Sequence, residues 1–151
     1  MEQGIFGISI YKALIKRMKH EESFIFTQKC FLHNMDIMFK SPILRCFSKS
    51  KTLLRISRKI IIKDVNSKDN SLGFKYQLKS KKKEYLYEFD VLQCPIVQLL
   101  KKYGLLFLGK YLCEADCYVM KYMPKDVVLI RDKVLSKGDE ICEFKYKIIK
   151  K

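Results

Sequence analysis

Two runs of strict alternation constrain this chain more than any other feature. Phe74, Tyr76 and Leu78 recur at every second position of residues 73–79, and Tyr85, Tyr87, Phe89 and Val91 do the same in residues 84–92. A period of two places side chains on one face of a strand, whereas a helix would scatter the same rings around its circumference. The polar Ser80-Lys-Lys-Lys83 tip between the runs predicts an antiparallel hairpin.

The segments on either side follow a different period. From Tyr11 to Phe39 the apolar residues Leu14, Ile15, Met18, Phe24, Ile25, Phe31, Leu32, Met35 and Met38 fall near a 3.6-residue repeat, predicting helix with an interruption near His20. Ser41-Pro42 closes it, because a residue before proline is pushed out of the helical region. Residues 43–47 fit a short helix. Residues 53–62 fit helix or strand, with the β-branched run Ile60-Ile61-Ile62 favouring strand at the end. Asn66 to Ser71 is a loop of turn formers. Beyond the hairpin, Pro95 suits the first turn of a helix that Cys94 caps and Gly104 stops. A second helix spans roughly Leu106 to Met123 and ends at Pro124. Val127–Val134 and Glu140–Ile149 read as strands joined by a turn at Ser136-Lys-Gly-Asp139. The expected class is α+β: an antiparallel sheet of two hairpins, packed against an N-terminal helix and a central helix pair. Residues 1–151 are expected to form one domain, with residues 1–50 mainly helical.

Charge and cysteine content narrow the function. The formal net charge is +15, but residues 1–83 carry 19 Lys and Arg against 6 Asp and Glu, while residues 84–151 carry 12 against 10. Clustered cations of this kind can bind phosphate. No helix-turn-helix, zinc-finger or ribonucleoprotein-type aromatic motif accompanies them, so no nucleic-acid partner is expected. No apolar run approaches the ~20 residues that cross a bilayer, and no secretion signal is visible at the N-terminus. Six cysteines without such a signal are expected to stay reduced, in a cytoplasmic protein.

The residues able to do chemistry concentrate in the last third. Cys94 at a helix N-terminus reads as a reactive thiol, its thiolate favoured by the helix dipole, or as a small buried space-filler. Cys113, Asp116 and Cys117, at i, i+3 and i+4, share a helical face. Leu105, Leu108, Leu112, Ala115 and Val119 form the apolar face of that helix, so Asp116 is expected on or near its buried side. A carboxylate there is costly unless paired, hydrogen-bonded or used. Arg131, read as mid-strand, either clamps a substrate carboxylate or pairs with a neighbour. Cys142 and Phe144 share a face of the last strand, where Cys142 serves as core or as pocket wall. Cys94, Cys113, Asp116 and Cys142 could supply three sulfurs and an oxygen to a metal, but their spacing is not that of a zinc motif, so no cofactor is expected. His20 and His33, the only histidines, lie far from this set in sequence and read as surface or packing residues.

The frame Cys94-Pro95, Gly104, Cys113-x-x-Asp116, Pro124, Arg131, Gly138-Asp139-x-x-Cys142-x-Phe144 resembles the L-2-amino-thiazoline-4-carboxylic acid hydrolase family, over roughly residues 85–147. The resemblance implies a hydrolase that opens a cyclic amidine, a non-peptide carbon–nitrogen bond, in a small carboxylated substrate of cysteine metabolism. It carries the family's Cys and Asp positions to Cys94, Cys113, Asp116 and Cys142. The chemistry required then gives catalysis to Cys94, as an attacking thiolate, or to Asp116, as the group that activates water, with Cys113 and Cys142 lining the pocket and Arg131 holding the substrate carboxylate. The C-terminal half has no histidine, so a general base there must be Asp or Glu. The helix pair and final hairpin are also similar to the 4-vinyl reductase type of ligand-binding domain. That likeness implies a non-catalytic small-molecule binder or sensor.

Overall fold

Both alternating runs form strands, and they belong to one sheet. The computed structural model describes residues 2–68, 73–79 and 82–149, with side chains from residue 5 onward. Four helices come first, α1 (Glu2–Leu14), α2 (His20–Met38), α3 (Pro42–Lys49) and α4 (Lys51–Ser67). The hairpin β1 (Lys75–Leu78) and β2 (Tyr85–Gln93) follows, then α5 (Pro95–Lys102) and α6 (Gly109–Val119), then β3 (Val127–Ile130) and β4 (Cys142–Ile148). Short 3₁₀ turns occupy Leu106–Leu108, Met120–Tyr122 and Leu135–Lys137. The expected Ser80–Lys83 tip and the loop to Ser71 lie partly outside the described residues.

The strands pair antiparallel throughout in the order β1-β2-β4-β3, so the two expected hairpins join through β2 and β4. Phe89 stands opposite Phe144, Val91 opposite Cys142, and Tyr87 opposite Tyr146. These residues line one face, where the Phe89 and Phe144 rings stack at 4.9 Å. The other face carries charge: Glu88 opposite Lys145 and Asp90 opposite Glu143. The class is α+β, as the sequence predicts.

Three segments differ from their sequence reading. Residues 53–62 are helical to the end, although three consecutive isoleucines favour strand. Ser50 caps the helix by accepting from the Leu53 amide, and Leu54, Arg58 and Ile62 then fall on one face. Only Ile62 of the three isoleucines is buried, so packing of that face overrides β-propensity. The side chain of Asn66, at the far end of α4, both donates to and accepts from the Tyr76 backbone and so covers the free edge of β1. The first helix starts at Glu2, not Tyr11. The third strand stops at Ile130, because Arg131 turns inward (below).

The first two helices, α1 and α2, pack on the central pair. Ile8 and Tyr11 of α1 meet Leu100 of α5, which is fully enclosed, and Leu108. Phe31 and Met35 of α2 meet Ala115 of α6. The sheet's apolar face is covered by Ile62 and Leu54 of α4 and by Cys113 of α6, with Met120 and Met123 just beyond it. The α6 helix is therefore shared between two cores.

One polar clamp fastens α2 to the end of α6. Asp36 accepts from Tyr118 Oη at 2.7 Å and from the Tyr122 hydroxyl, and pairs with Lys121 at 2.6 Å. The Lys121 ammonium, then the two hydroxyls, hold its carboxyl well below the usual range. A depressed carboxylate contributes stability above the ordinary value of about 4 and loses it as pH falls through the folded value. Asp36→Asn is therefore expected to lower the melting temperature at neutral pH and to bring the two proteins together on acidification. A constant difference in melting temperature between pH 7 and pH 2 would refute this.

Candidate functional site

The geometry of the last third is set by two close approaches. At the start of α6, a Cβ on Gly109 would lie 2.6 Å from Ser136 Cβ, so only glycine lets the helix rest this tightly on the 3₁₀ turn. That turn ends at Gly138, whose φ of 103° is open to glycine without strain, and Asp139 fixes it by accepting from the Val134 amide at 2.6 Å. The chain then enters β4 at Cys142.

Cys113, one turn into α6, has its sulfur 3.3 Å from Ser136 Oγ. Cys142 is buried, and its sulfur accepts from the Leu135 amide at 3.1 Å. Cys94 caps α5, half-buried against the sheet core. The three thiols lie within mutual electrostatic range: Cys113 and Cys142 both act on Cys94. Cys117, expected on the same face, is exposed to solvent instead.

Arg131 leaves the end of β3 and turns inward. Its side chain is only 8% exposed. Nη1 donates to the Cys113 carbonyl at 2.8 Å and to Asp116 Oδ2 at 3.0 Å, and the guanidinium lies 4.2 Å over the Phe144 ring. Its Nε is enclosed without a well-formed hydrogen bond, close to the Cys142 sulfur. The Asp116 side chain is 43% exposed, at the rim of the buried side of α6, where the protein packed around it still strips water from the carboxyl. Arg131 thus faces inward and is paired with Asp116.

The electrostatics of the two proposed catalytic groups differ from the sequence reading in one case. Burial pushes the Cys94 thiol up, and the Val97 and Ile96 amides of the helix N-terminus, which pull it down, do not outweigh that. Burial also raises Cys142, against the Leu135 amide and Arg131. The helix dipole therefore does not make Cys94 a ready thiolate, because desolvation of the charge costs more. Alkylation is expected to modify exposed Cys46 and Cys117 first at neutral pH, with Cys94 and Cys142 reacting only in alkali or on unfolding. Mass spectrometry showing Cys94 labelled ahead of both would overturn that order. Burial likewise raises the Asp116 carboxyl, opposed by Arg131 and then by Arg58.

Arg58 is the functional candidate that sequence reasoning missed. It reaches from α4 over the sheet, with its guanidinium 5.0 Å from the Phe89 ring centre and 5.4 Å from that of Tyr87, and its charge is felt at Asp116, Tyr76 and Tyr146. The available signal was a cation within the Leu54–Ile62 stripe, visible only if that segment is read as helix. Tyr76 joins the same field: burial pushes its phenol up to about 12. Among the described residues, no three His, Cys, Asp or Glu side chains converge as they would around a metal ion. His20 sits among the rings of Tyr11, Phe24 and Phe107, and His33 is exposed. Among the described residues, no helix is long and apolar enough to cross a membrane.

What gathers here is a carboxylate at the rim with an elevated proton affinity, an arginine that fixes it, three thiols, and an aromatic floor. Such a set can move a proton and hold a small anionic molecule. Compared with known protein families, the chain matches the model for L-2-amino-thiazoline-4-carboxylic acid hydrolase over residues 1–146, which takes in the basic N-terminal half as well as the expected region 85–147. No curated protein and no solved structure was found to match.

Proposed function

The chain belongs to the L-2-amino-thiazoline-4-carboxylic acid hydrolase family, and from that premise we propose that it hydrolyses a cyclic amidine in a small carboxylated substrate. The bond opened is a carbon–nitrogen bond other than a peptide bond, on a route to L-cysteine. The observation that carries this reading is the Asp116–Arg131 pair, set beside Cys113 at the open rim of the sheet core.

In this reading Asp116 is the catalytic base. It takes a proton from water as the oxygen adds to the amidine carbon, and the proton passes to the nitrogen that departs. Arg131 holds Asp116 in place and supplies the positive charge against which the substrate carboxylate rests. Cys113 and Cys142 line the site. Direct attack by Cys94 is the weaker route, since its raised pKa leaves little thiolate at neutral pH. Cys94 then acts as a wall of the site and a weak donor. The reaction drawn this way uses no metal. The protein acts as a single cytoplasmic domain on a small molecule, without nucleic acid or membrane.

A second reading, a non-catalytic small-molecule-binding domain, is favoured by the same raised thiols, because a binder needs no nucleophile. Incubating the purified protein with L-2-amino-thiazoline-4-carboxylic acid decides between them. Loss of substrate with release of a primary amine, the ring nitrogen set free as the carbon–nitrogen bond opens, is expected above the buffer rate. Saturable binding of the ring without any turnover would establish the binder.

A further inference from the structure

The outward face of α4 is apolar where a surface helix is ordinarily polar. Leu53, Ile56 and Ile60 follow one another at spacings of three and four, so they stand one above the next on a single stripe. They are 42%, 51% and 62% exposed. The opposite face of the same helix is already committed. Leu54 and Ile62 pack on the sheet core, and Arg55 Nε donates to the Leu86 carbonyl at 3.0 Å. The helix is therefore fixed in place with a second apolar side turned to water.

Charge of opposite sign marks the two ends of the stripe. Lys49, the last residue of α3, is exposed just ahead of the first turn of α4 and has no carboxylate partner among the described residues. Asp64 continues the stripe one turn beyond Ile60. It pairs with Lys68 at 2.7 Å, an exposed i,i+4 contact that is weak enough to exchange. Between the ends, the Ser57 hydroxyl donates to the Leu54 carbonyl at 3.1 Å, so it can be covered without stranding a donor. Lys59 and Lys63, both exposed, run along one flank.

We propose that two copies of the chain pair through this stripe, α4 against α4, antiparallel about a two-fold axis. An axis between Ile56 and Ser57 sets Leu53 of one protomer against Ile60 of the partner subunit, and Asp64 of one against Lys49 of the partner subunit. The members of each pair lie equally far from the axis along the helix. The patch is thus its own complement, in apolar pattern and in sign, with Lys59 and Lys63 left at the solvent rim. An anionic lipid surface matches it less well, since Asp64 would face like charge. The net charge of +15 opposes association of two chains elsewhere on their surfaces, which leaves this local match to set the register. The pairing does not depend on the hydrolase reading.

Light scattering on the full chain at about 0.15 M salt, from about 1 μM to about 100 μM, tests this. A concentration-dependent rise from one chain toward two is expected. Ile56→Glu puts a charge beside the axis twice and should weaken the dimer at least about tenfold. Asp64→Lys and Lys49→Glu each bring like charges together at two symmetric contacts, and each should weaken it about threefold. The double variant exchanges the signs and should restore the unaltered affinity. All three positions are exposed, so the circular dichroism of every variant should match that of the unaltered chain. A chain that stays single at about 100 μM, a dimer that Ile56→Glu leaves intact, or a double variant no tighter than the singles overturns the proposal. So does cosedimentation with phosphatidylglycerol vesicles, lost in Ile56→Glu, by a chain that forms no dimer.

Discussion

Asp116→Asn is expected to lower kcat/KM for ring opening by at least about 100-fold, the usual share of a general base. The amide keeps the shape of the carboxylate and can still accept from Arg131 Nη1, so the rim geometry persists while the basicity is gone. The pH profile carries the sharper evidence. Burial lifts the Asp116 carboxyl above its ordinary value, so the base form is lost on the acid side sooner than for a free aspartate, near 3.9. The acid limb of kcat/KM should therefore lie above that value. Arg131→Gln removes the charge that opposes the rise, and should move the limb higher still.

The same shift has a consequence for stability. Between the ordinary carboxylate value and the raised folded one, the folded chain binds more protons than the unfolded chain. Stability contributed by Asp116 thus falls as pH rises through that window, and Asp116→Asn should abolish this slope. Cys94→Ala separates the two chemical routes. Most of the rate should survive it if water is the nucleophile, whereas a loss as large as that of Asp116→Asn would restore the thiolate mechanism. Full activity in Asp116→Asn would remove the aspartate from the chemistry while leaving family membership untouched.

The parts legible in the sequence were those with a local cause. Alternation at Tyr85, Tyr87 and Phe89 identifies β2, and Pro95 after Cys94 marks the start of α5, because period and backbone restriction act over a few residues. The pairing of Asp116 with Arg131 was legible only as one of several options, since 15 residues of chain separate them and Arg131 is brought back to α6 by the pairing of β3 on β4, a tertiary contact. The thiol of Cys94 shows the limit most clearly. Its position at a helix N-terminus can be read from Pro95, but the protein packed around it cannot, and that packing decides the sign of the shift. Arg58 stayed hidden for a related reason. Its segment looked strand-like at Ile60–Ile62, and the helix that aims it at Phe89 is stabilised by contacts with the sheet rather than by its own propensity.

Phe89→Ala is expected to cost about 3–5 kcal/mol of folding stability, the range for a large ring removed from a core. The side chain is 2% exposed and central in three directions. It stacks on Phe144 across the β2–β4 pairing, meets Tyr76 edge-on at 5.8 Å, and lies beneath the Arg58 guanidinium. Neighbours anchored on two strands and a helix cannot collapse into the space it leaves. Leu78 belongs to the same alternating face but sits 43% exposed on the edge strand, so Leu78→Ala should cost about 1 kcal/mol or less. Chemical denaturation of the two variants measures the contrast, and equal midpoints would refute the idea that the β2–β4 seam is the centre of the core. The ring also links two guanidiniums, since Arg58 rests on Phe89 and Arg131 on its stacking partner Phe144. A smaller change, Phe89→Leu, keeps most of the volume and removes both the π face under Arg58 and the stack on Phe144. It should therefore cost less than Phe89→Ala while still lowering the denaturation midpoint.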